Sequence, residues 1–381
     1  MTRSSPGGLG PRRDPGMRIA LVGPTAPYKG GIAQHTTELA HRLAAEGHLV
    51  RVESWSEQYP ALLYPGEQRA PAPERKPFGN TAYDLAWYRP DSWLRVGHRL
   101  RSADLVVVVL VSPVQVPAYL ALLRALHPGD VPVVVLAHNV LPHERRAVDV
   151  PLVRALLRRA DAVLAHSDDQ AALARSLADT PVTVTALAPF PPAPPSGPAR
   201  PPGAPPTRTL LFFGLVRPYK GLDVLLRALA AGPPDVRLVV AGEFWGGTAD
   251  TERLVAELGI EERVELRLGY VPAPEVAALF ARADALVLPY RTVTGTQHTW
   301  LAFAHGLPVV AARVGTLPEQ VRDGVDGLLC DPGDVAGLAD ALCRLYEPGC
   351  LPRLRANVHS VDPTPQWREY VAALVRAGGG G

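Results

Sequence analysis

Arg217, Lys220 and Gly221 follow an apolar run that ends at Gly214, in the stretch L-F-F-G-L-V-R-P-Y-K-G-L. A strand, a tight glycine turn with two cations and a helix start, in that order, make a cradle for an anion. Backbone N–H groups and the positive end of the helix dipole point at it, and the cations complete the charge balance. Lys29, Lys76 and Lys220 are the only lysines among 39 Lys and Arg residues. Two of them adjoin loop glycines, as Lys29-Gly30-Gly31 and Lys220-Gly221. Where arginine is the default base, that placement reads as phosphate chemistry, lysine as a compact point charge and arginine as a bidentate fork. Taken alone, the stretch reads equally well as a solvated basic loop.

His138 ends a second apolar run, 131–137, inside H-N-V-L-P-H-E. An imidazole there suits acid–base or polar work. Other chemistries are not signalled. There is no D-x-D pair to hold a divalent ion, and no G-x-S-x-G, Walker A or H-E-x-x-H motif. The three cysteines, Cys330, Cys343 and Cys350, form no C-x-x-C pair. That argues for a reducing, cytoplasmic setting and against a disulfide framework or zinc site. Neither a metal nor a cofactor is expected.

The elements that must position these residues alternate. Strands are expected at 17–22, 49–52, 103–111, 131–137, 162–165 and 183–187, with a helix from Ile32 to Gly47 and a basic helical segment at 151–159. Residues 54–98 read as irregular and rich in aromatics, a pattern that suits acceptor binding, although several of them covering the domain edge is the simpler reading. Ten of the eighteen residues 189–206 are proline, which no helix or sheet core tolerates, so a linker belongs there. The alternation then restarts. Strands are expected at 210–213, 236–241, 264–268, 285–288 and 308–311, and helices near 222–230, 250–258, 275–282, 297–305, 334–346 and 366–376. The domains are therefore set at 17–188 and 208–362, with a loose tail at 1–16, a linker at 189–207 and a closing segment at 363–381. The fold class is α/β: two doubly wound, Rossmann-like domains facing a cleft. In such sheets ligands bind beyond the C-terminal strand ends, where Gly30, Gly31, His138, Arg217, Lys220, Glu243 and the segment 290–297 all fall.

The net charge is +2, which makes no case for a nucleic-acid partner. The longest apolar run, 105–111, is too short to span a bilayer, and residues 1–16 lack a signal-peptide core. Arg89, Arg95, Arg99 and Arg101 lie near Trp87 and Trp93, followed by Arg145, Arg146, Arg154, Arg158 and Arg159. Such a surface suits peripheral docking on the inner face of an anionic membrane; a solvated basic face is the simpler reading.

G-L-V-R-P-Y-K-G, the Lys29-Gly30-Gly31 loop, H-N-V-L-P-H-E and L-A-F-A-H-G-L-P-V-V-A-A-R-V-G-T-L-P-E together resemble glycosyltransferase family 4, retaining nucleotide-sugar transferases of GT-B fold. The resemblance covers residues 17–376. It implies that Arg217 and Lys220 bind a donor diphosphate, with Gly214 in the turn beside them, and that Gly30 and Gly31 let the backbone approach donor phosphate and sugar. His138 would sit beside the transferred sugar, residues near Val271 would contact the base by backbone, and the helix from Trp367 would cross back to the first domain. The partners implied are a nucleotide-diphospho-sugar donor and a glycan, lipid-linked or small-metabolite acceptor. One departure stands out. Most members carry two glutamates with seven residues between them, and here those positions are Val293 and Leu301. Thr294, Thr296 and Gln297, with N–H groups at the following helix start, are the expected replacements. A non-catalytic relative that binds a nucleotide sugar or a partner transferase is the alternative. A nucleotide-sugar epimerase is a third reading, which the loss of acidic residues disfavours.

Overall fold

The computed structural model describes residues 16–60, 67–70, 75–127, 130–142, 144–190 and 205–379. The tail at 1–15, His143 and linker residues 191–204 lie outside the described residues, as do the side chains of residues 273 and 274.

The first sheet contains β1 (Arg18–Val22), β2 (Leu49–Glu57), β3 (Thr81–Ala86), β4 (Leu105–Leu110), β5 (Val133–Ala137), β6 (Ala162–Ala165) and β7 (Val182–Val184). Their order is β3-β2-β1-β4-β5-β6-β7, all parallel. The second sheet contains β8 (Thr209–Phe213), β9 (Arg237–Gly242), β10 (Val264–Leu268), β11 (Ala285–Leu288), β12 (Val309–Ala312) and β13 (Gly327–Cys330), in the order β10-β9-β8-β11-β12-β13, also parallel. Helices α1 (Gly31–Ala45), α2 (Pro90–Arg99), α3 (Val116–Leu126), α4 (Asp149–Leu157) and α5 (Asp168–Leu177) belong to the first half. The second half has α6 (Leu222–Ala231), α7 (Ala249–Glu257), α8 (Ala273–Arg282), α9 (His298–Ala304), α10 (Leu317–Gln320), α11 (Val335–Leu345), α12 (Cys350–Asn357) and α13 (Thr364–Ala377).

Helices cover both faces of each sheet, which explains why central strands read as unbroken apolar runs. All six residues of β4, L-V-V-V-V-L, are buried. Each sheet carries one apolar layer on either face. Strand order reverses between β1 and β4 in the first sheet and between β8 and β11 in the second. The loops after β1 and β8 therefore open a crevice at each switch point, and these loops hold Lys29–Gly31 and Gly214–Lys220.

The last helix, α13, buries Trp367, Tyr370 and Leu374 in the apolar layer that also holds Leu21, Leu39 and Leu136 of the first domain. The Trp367 indole N–H donates to the Pro189 carbonyl at 2.8 Å, tying the chain end to the point where it leaves the first sheet.

Residues 54–98 correct the expectation of an irregular segment. The strand begun at Leu49 runs on to Glu57, and β3 and α2 follow. β3 is an edge strand that pairs with β2 across register shifts and is only half buried, so it shows no apolar run. Pro90 opens α2 at its first turn, where a missing N–H costs nothing. Of the aromatics, Trp55 is fully buried, whereas Trp87 and Tyr88 are exposed. Three of the arginines expected in a basic patch are ion-paired: Arg89 and Arg95 with Asp91, and Arg99 with Glu53 and Asp84. Among the described residues no helix is long and apolar enough to cross a membrane.

Candidate active site

On the second domain, β8 delivers the chain to Gly214, whose φ of 99° favours glycine. A single turn at 218–220 follows and ends at Gly221, which starts α6. A side chain at Gly221 would meet the Pro289 carbonyl at 2.1 Å, so this turn closes only on glycine. It fixes the stem of Lys220, which is 6% exposed. Among the described residues no hydrogen-bond acceptor reaches its ammonium, which lies 5.5 Å from the Tyr290 ring centroid. Burial, aided by the Arg217 charge, pulls the Lys220 pKa down to about 8. A buried, unpaired cation is costly unless an anion joins it.

Arg217 leaves the same turn in another direction. Its guanidinium stacks 4.4 Å from the Trp245 ring centroid and donates to Glu144 of the first domain at 2.8 Å. Lys29 is held across the gap in the mirrored sense, by Glu243 of the second domain at 2.8 Å and over the Tyr270 ring. Two loop cations thus bind carboxylates of the opposite domain. Beside Lys29, Gly30 has φ 97°, and a side chain at Gly30 or Gly31 would meet nothing within 4 Å. The space above this loop is open backbone.

Between the domains lies a cavity of about 240 Å³. His138, Gly31, Lys220, Thr294, Thr296 and Gln297 all line it, whereas Gly30, Gly214, Arg217 and Val271 do not. Val271 packs into an apolar layer of the second domain. Val293 and Leu301 are partly buried and pack against that same layer; Val293 also lines the cavity, whereas Leu301 does not. The three polar replacements have jobs of their own. Thr294 donates to Asn139 across the gap. Gln297 accepts from the Phe190 N–H at 3.0 Å and donates to the Ala188 carbonyl at 2.9 Å, bracing the exit of the first domain. Thr296 accepts from the His298 N–H at 3.2 Å, closing the turn that leads into α9.

Residues 29–185 match the family described as "Glycosyltransferase Family 4", and residues 207–348 match "Glycosyl transferases group 1". The chain belongs to glycosyltransferase family 4. The D-inositol 3-phosphate glycosyltransferase of Mycobacterium sp. (strain KMS) is 41% identical over 161 residues, which is 41% of this family 4 chain but only 36% of that relative's length. Two solved structures place the architecture as GT-B. Anabaena Alr3699/HepE in complex with UDP and glucose superposes with TM-score 0.71 at 18% identity, over 94% of this chain and 100% of its own. Sucrose-phosphate synthase from Thermosynechococcus elongatus does so with TM-score 0.71 at 20% identity, over 95% and 98%.

Three histidines of this family 4 member form the first-domain wall, and only His138 was singled out from sequence. His35, on α1, lies 4.7 Å from the His138 ring centroid and 5.9 Å from that of His166. His166, at the end of β6, lies 4.9 Å from His138. All three are buried and line the cavity. Burial, and for His35 and His138 the neighbouring imidazoles, holds their pKa values down, that of His166 to about 4. Both ring nitrogens of His35, Nε2 of His138 and of His166, and the Tyr370 hydroxyl have no hydrogen-bond partner among the described residues. The rule that selected His138, a polar residue at a strand's C-terminal end, applied equally to His166.

Proposed function

We propose that the chain transfers a sugar from a nucleotide-diphospho-sugar to an acceptor hydroxyl, with retention of configuration and without a metal ion. The observation that carries this is Lys220, a buried ammonium with no acceptor among the described residues, set in an interdomain cavity at the switch points of two parallel sheets. That setting suits the charge of a departing diphosphate, with Arg217 as second cation. Gly30 and Gly31 leave room for phosphate and sugar to approach backbone. His138 stands on the opposite wall, where the transferred sugar would lie. The HepE structures hold UDP, glucose or UDP-glucose, which makes a uridine nucleotide the first donor to try. The mycobacterial relatives are named for D-inositol 3-phosphate, which favours a small polyol among acceptor classes.

No carboxylate is among the described residues lining the cavity. Retention through a covalent glycosyl-enzyme would need one. The reading therefore has the acceptor oxygen attack on the leaving-group side, its proton passing to the departing phosphate. The cavity is smaller than the roughly 300–1,000 Å³ that encloses a drug-sized ligand. Donor entry then requires the Lys29–Glu243 and Arg217–Glu144 pairs to open.

The test is a thermal-shift and hydrolysis screen against UDP-, GDP-, ADP- and dTDP-sugars without added metal, beside Lys220→Ala. Stabilisation and sugar release with one donor, absent in the variant, are expected, and NMR of the anomeric product reads the stereochemistry. No response to any donor would leave the non-catalytic reading in its place.

A further inference from the structure

His298 lines the cavity and is used by none of the roles above. A Cβ built on Gly214 would stand 2.7 Å from His298 Nε2 and 3.5 Å from Lys220 Nζ. Gly214, which has no Cβ, leaves room for the imidazole, so both nitrogens lie within 3.5 Å of one point; both side chains line the cavity, and neither has a hydrogen-bond acceptor among the described residues. The other ring nitrogen is occupied. Nδ1 lies 3.0 Å from the Thr296 hydroxyl and 3.4 Å from the Tyr290 hydroxyl. The Thr296 oxygen already accepts from the His298 backbone N–H, which leaves its own proton to donate. Taking Nδ1 as the acceptor of the Thr296 proton places the ring proton on Nε2. Burial and the Lys220 charge hold the imidazole pKa down to about 3, so the ring is a neutral donor beside a cation.

Two donors side by side on one cavity wall suit an oxyanion. We infer that His298 is a further catalytic residue of the transfer, its Nε2–H holding, together with Lys220, an oxygen of the departing diphosphate in the cavity. The inference rests on the function proposed above. As the bond between the sugar anomeric carbon and the phosphate oxygen breaks, its electron pair stays on that oxygen. The acceptor oxygen bonds to the anomeric carbon, and its proton passes to the phosphate. His298 stabilises the charge and transfers no atom. Gly214 then has two reasons to lack a side chain: its positive φ and the His298 imidazole, which takes the place a Cβ would fill.

Two substitutions separate this role from a structural one. His298→Asn keeps an acceptor facing Thr296, where Nδ1 sits, and removes the donor over Gly214. His298→Gln reaches the Nε2 position with an amide N–H. Each is compared with the wild type using whichever of UDP-, GDP-, ADP- or dTDP-glucose the wild type turns over. The expected result is a kcat lowered about 10²-fold in His298→Asn, with donor KM and Tm near wild type, and about tenfold recovery in His298→Gln. The reverse order, with Asn near wild type and Gln poor and unstable, overturns the inference in favour of a turn-propping role. Turnover lost in Lys220→Ala but unchanged in His298→Asn overturns it while leaving the proposed function standing. A wild type that turns over none of the four donors, and binds none of UDP, GDP, ADP or dTDP by calorimetry, overturns both.

Discussion

The two walls of the cavity are made by one device and carry opposite chemistry. Each is a set of loops beyond the C-terminal ends of a parallel sheet, at the point where strand order reverses. The second-domain wall presents a buried ammonium that lacks an acceptor, with a guanidinium close by. The first-domain wall presents three packed imidazoles, all held neutral by burial. Topology decides where a ligand sits, and a handful of loop side chains decide which part of it sits against which wall. A charged, phosphate-bearing end belongs against Lys220, and a neutral, hydroxyl-rich end against the histidines, whose orphan nitrogens can accept or donate singly.

That assignment breaks most visibly if one residue is removed from each wall. Lys220→Ala should cost donor binding itself, about 10³-fold in kcat/KM, because it removes the only fully buried cation facing the cavity among the described residues. His138→Ala should lower kcat about 10²-fold and leave nucleoside diphosphate affinity, read by calorimetry, close to wild type. Equal loss of diphosphate affinity in both variants would erase the distinction between the walls.

Titration sharpens the same contrast. His166 has a folded pKa of about 4 against an ordinary 6.5. Between those values the unfolded chain takes up a proton that the folded chain refuses, so stability falls as pH falls through that window. The loss is on the order of 3 kcal/mol for a group so placed, and His35 and His138, shifted the same way, add to it. Lys220 titrates near pH 8, below its ordinary 10.5. Between those values the folded chain releases the proton and the unfolded chain keeps it, so stability rises with pH while the anion-binding charge is lost. Acid should therefore attack the fold through the first wall, and alkali the function through the second. Tm and donor affinity measured from pH 4 to 10 should move in opposite directions above pH 8; a parallel fall there would refute the assignment of Lys220.

How much of this was legible in the sequence follows from the same physics. β4 and β5 announce themselves because burial on both faces writes a continuous apolar run, and the anion turn is visible because Gly214, Arg217, Lys220 and Gly221 are contiguous. β3 and α2 were hidden because an edge strand and a half-exposed helix need no such run. The histidine wall was hidden for another reason. His35, His138 and His166 are far apart in the chain and meet only because α1 begins, and β5 and β6 end, on the same side of the sheet. Gln297 was legible as a polar replacement at the missing-glutamate segment, but its engagement with Ala188 and Phe190 depends on where the linker begins. Contiguous chemistry can be read from sequence; chemistry assembled by topology needs the fold.

The smallest effect probes what keeps the walls together. Glu144 is 53% exposed and holds Arg217, so the pair itself contributes only about 0–1 kcal/mol. Yet it occupies the guanidinium that the donor diphosphate would claim. Glu144→Gln removes the competitor without removing the cation. It should change Tm by less than about 2 °C while tightening donor affinity about two- to fivefold, an effect under about 1 kcal/mol. Because both the lost pair and the gained contact are electrostatic and partly exposed, the gain should shrink as ionic strength rises. Calorimetric titration of the active donor at low and high salt measures it. Unchanged affinity at low salt would mean that Arg217 stays with Glu144 when donor binds. Lys220 would then carry the diphosphate without its neighbour, and the charged wall would reduce to a single residue.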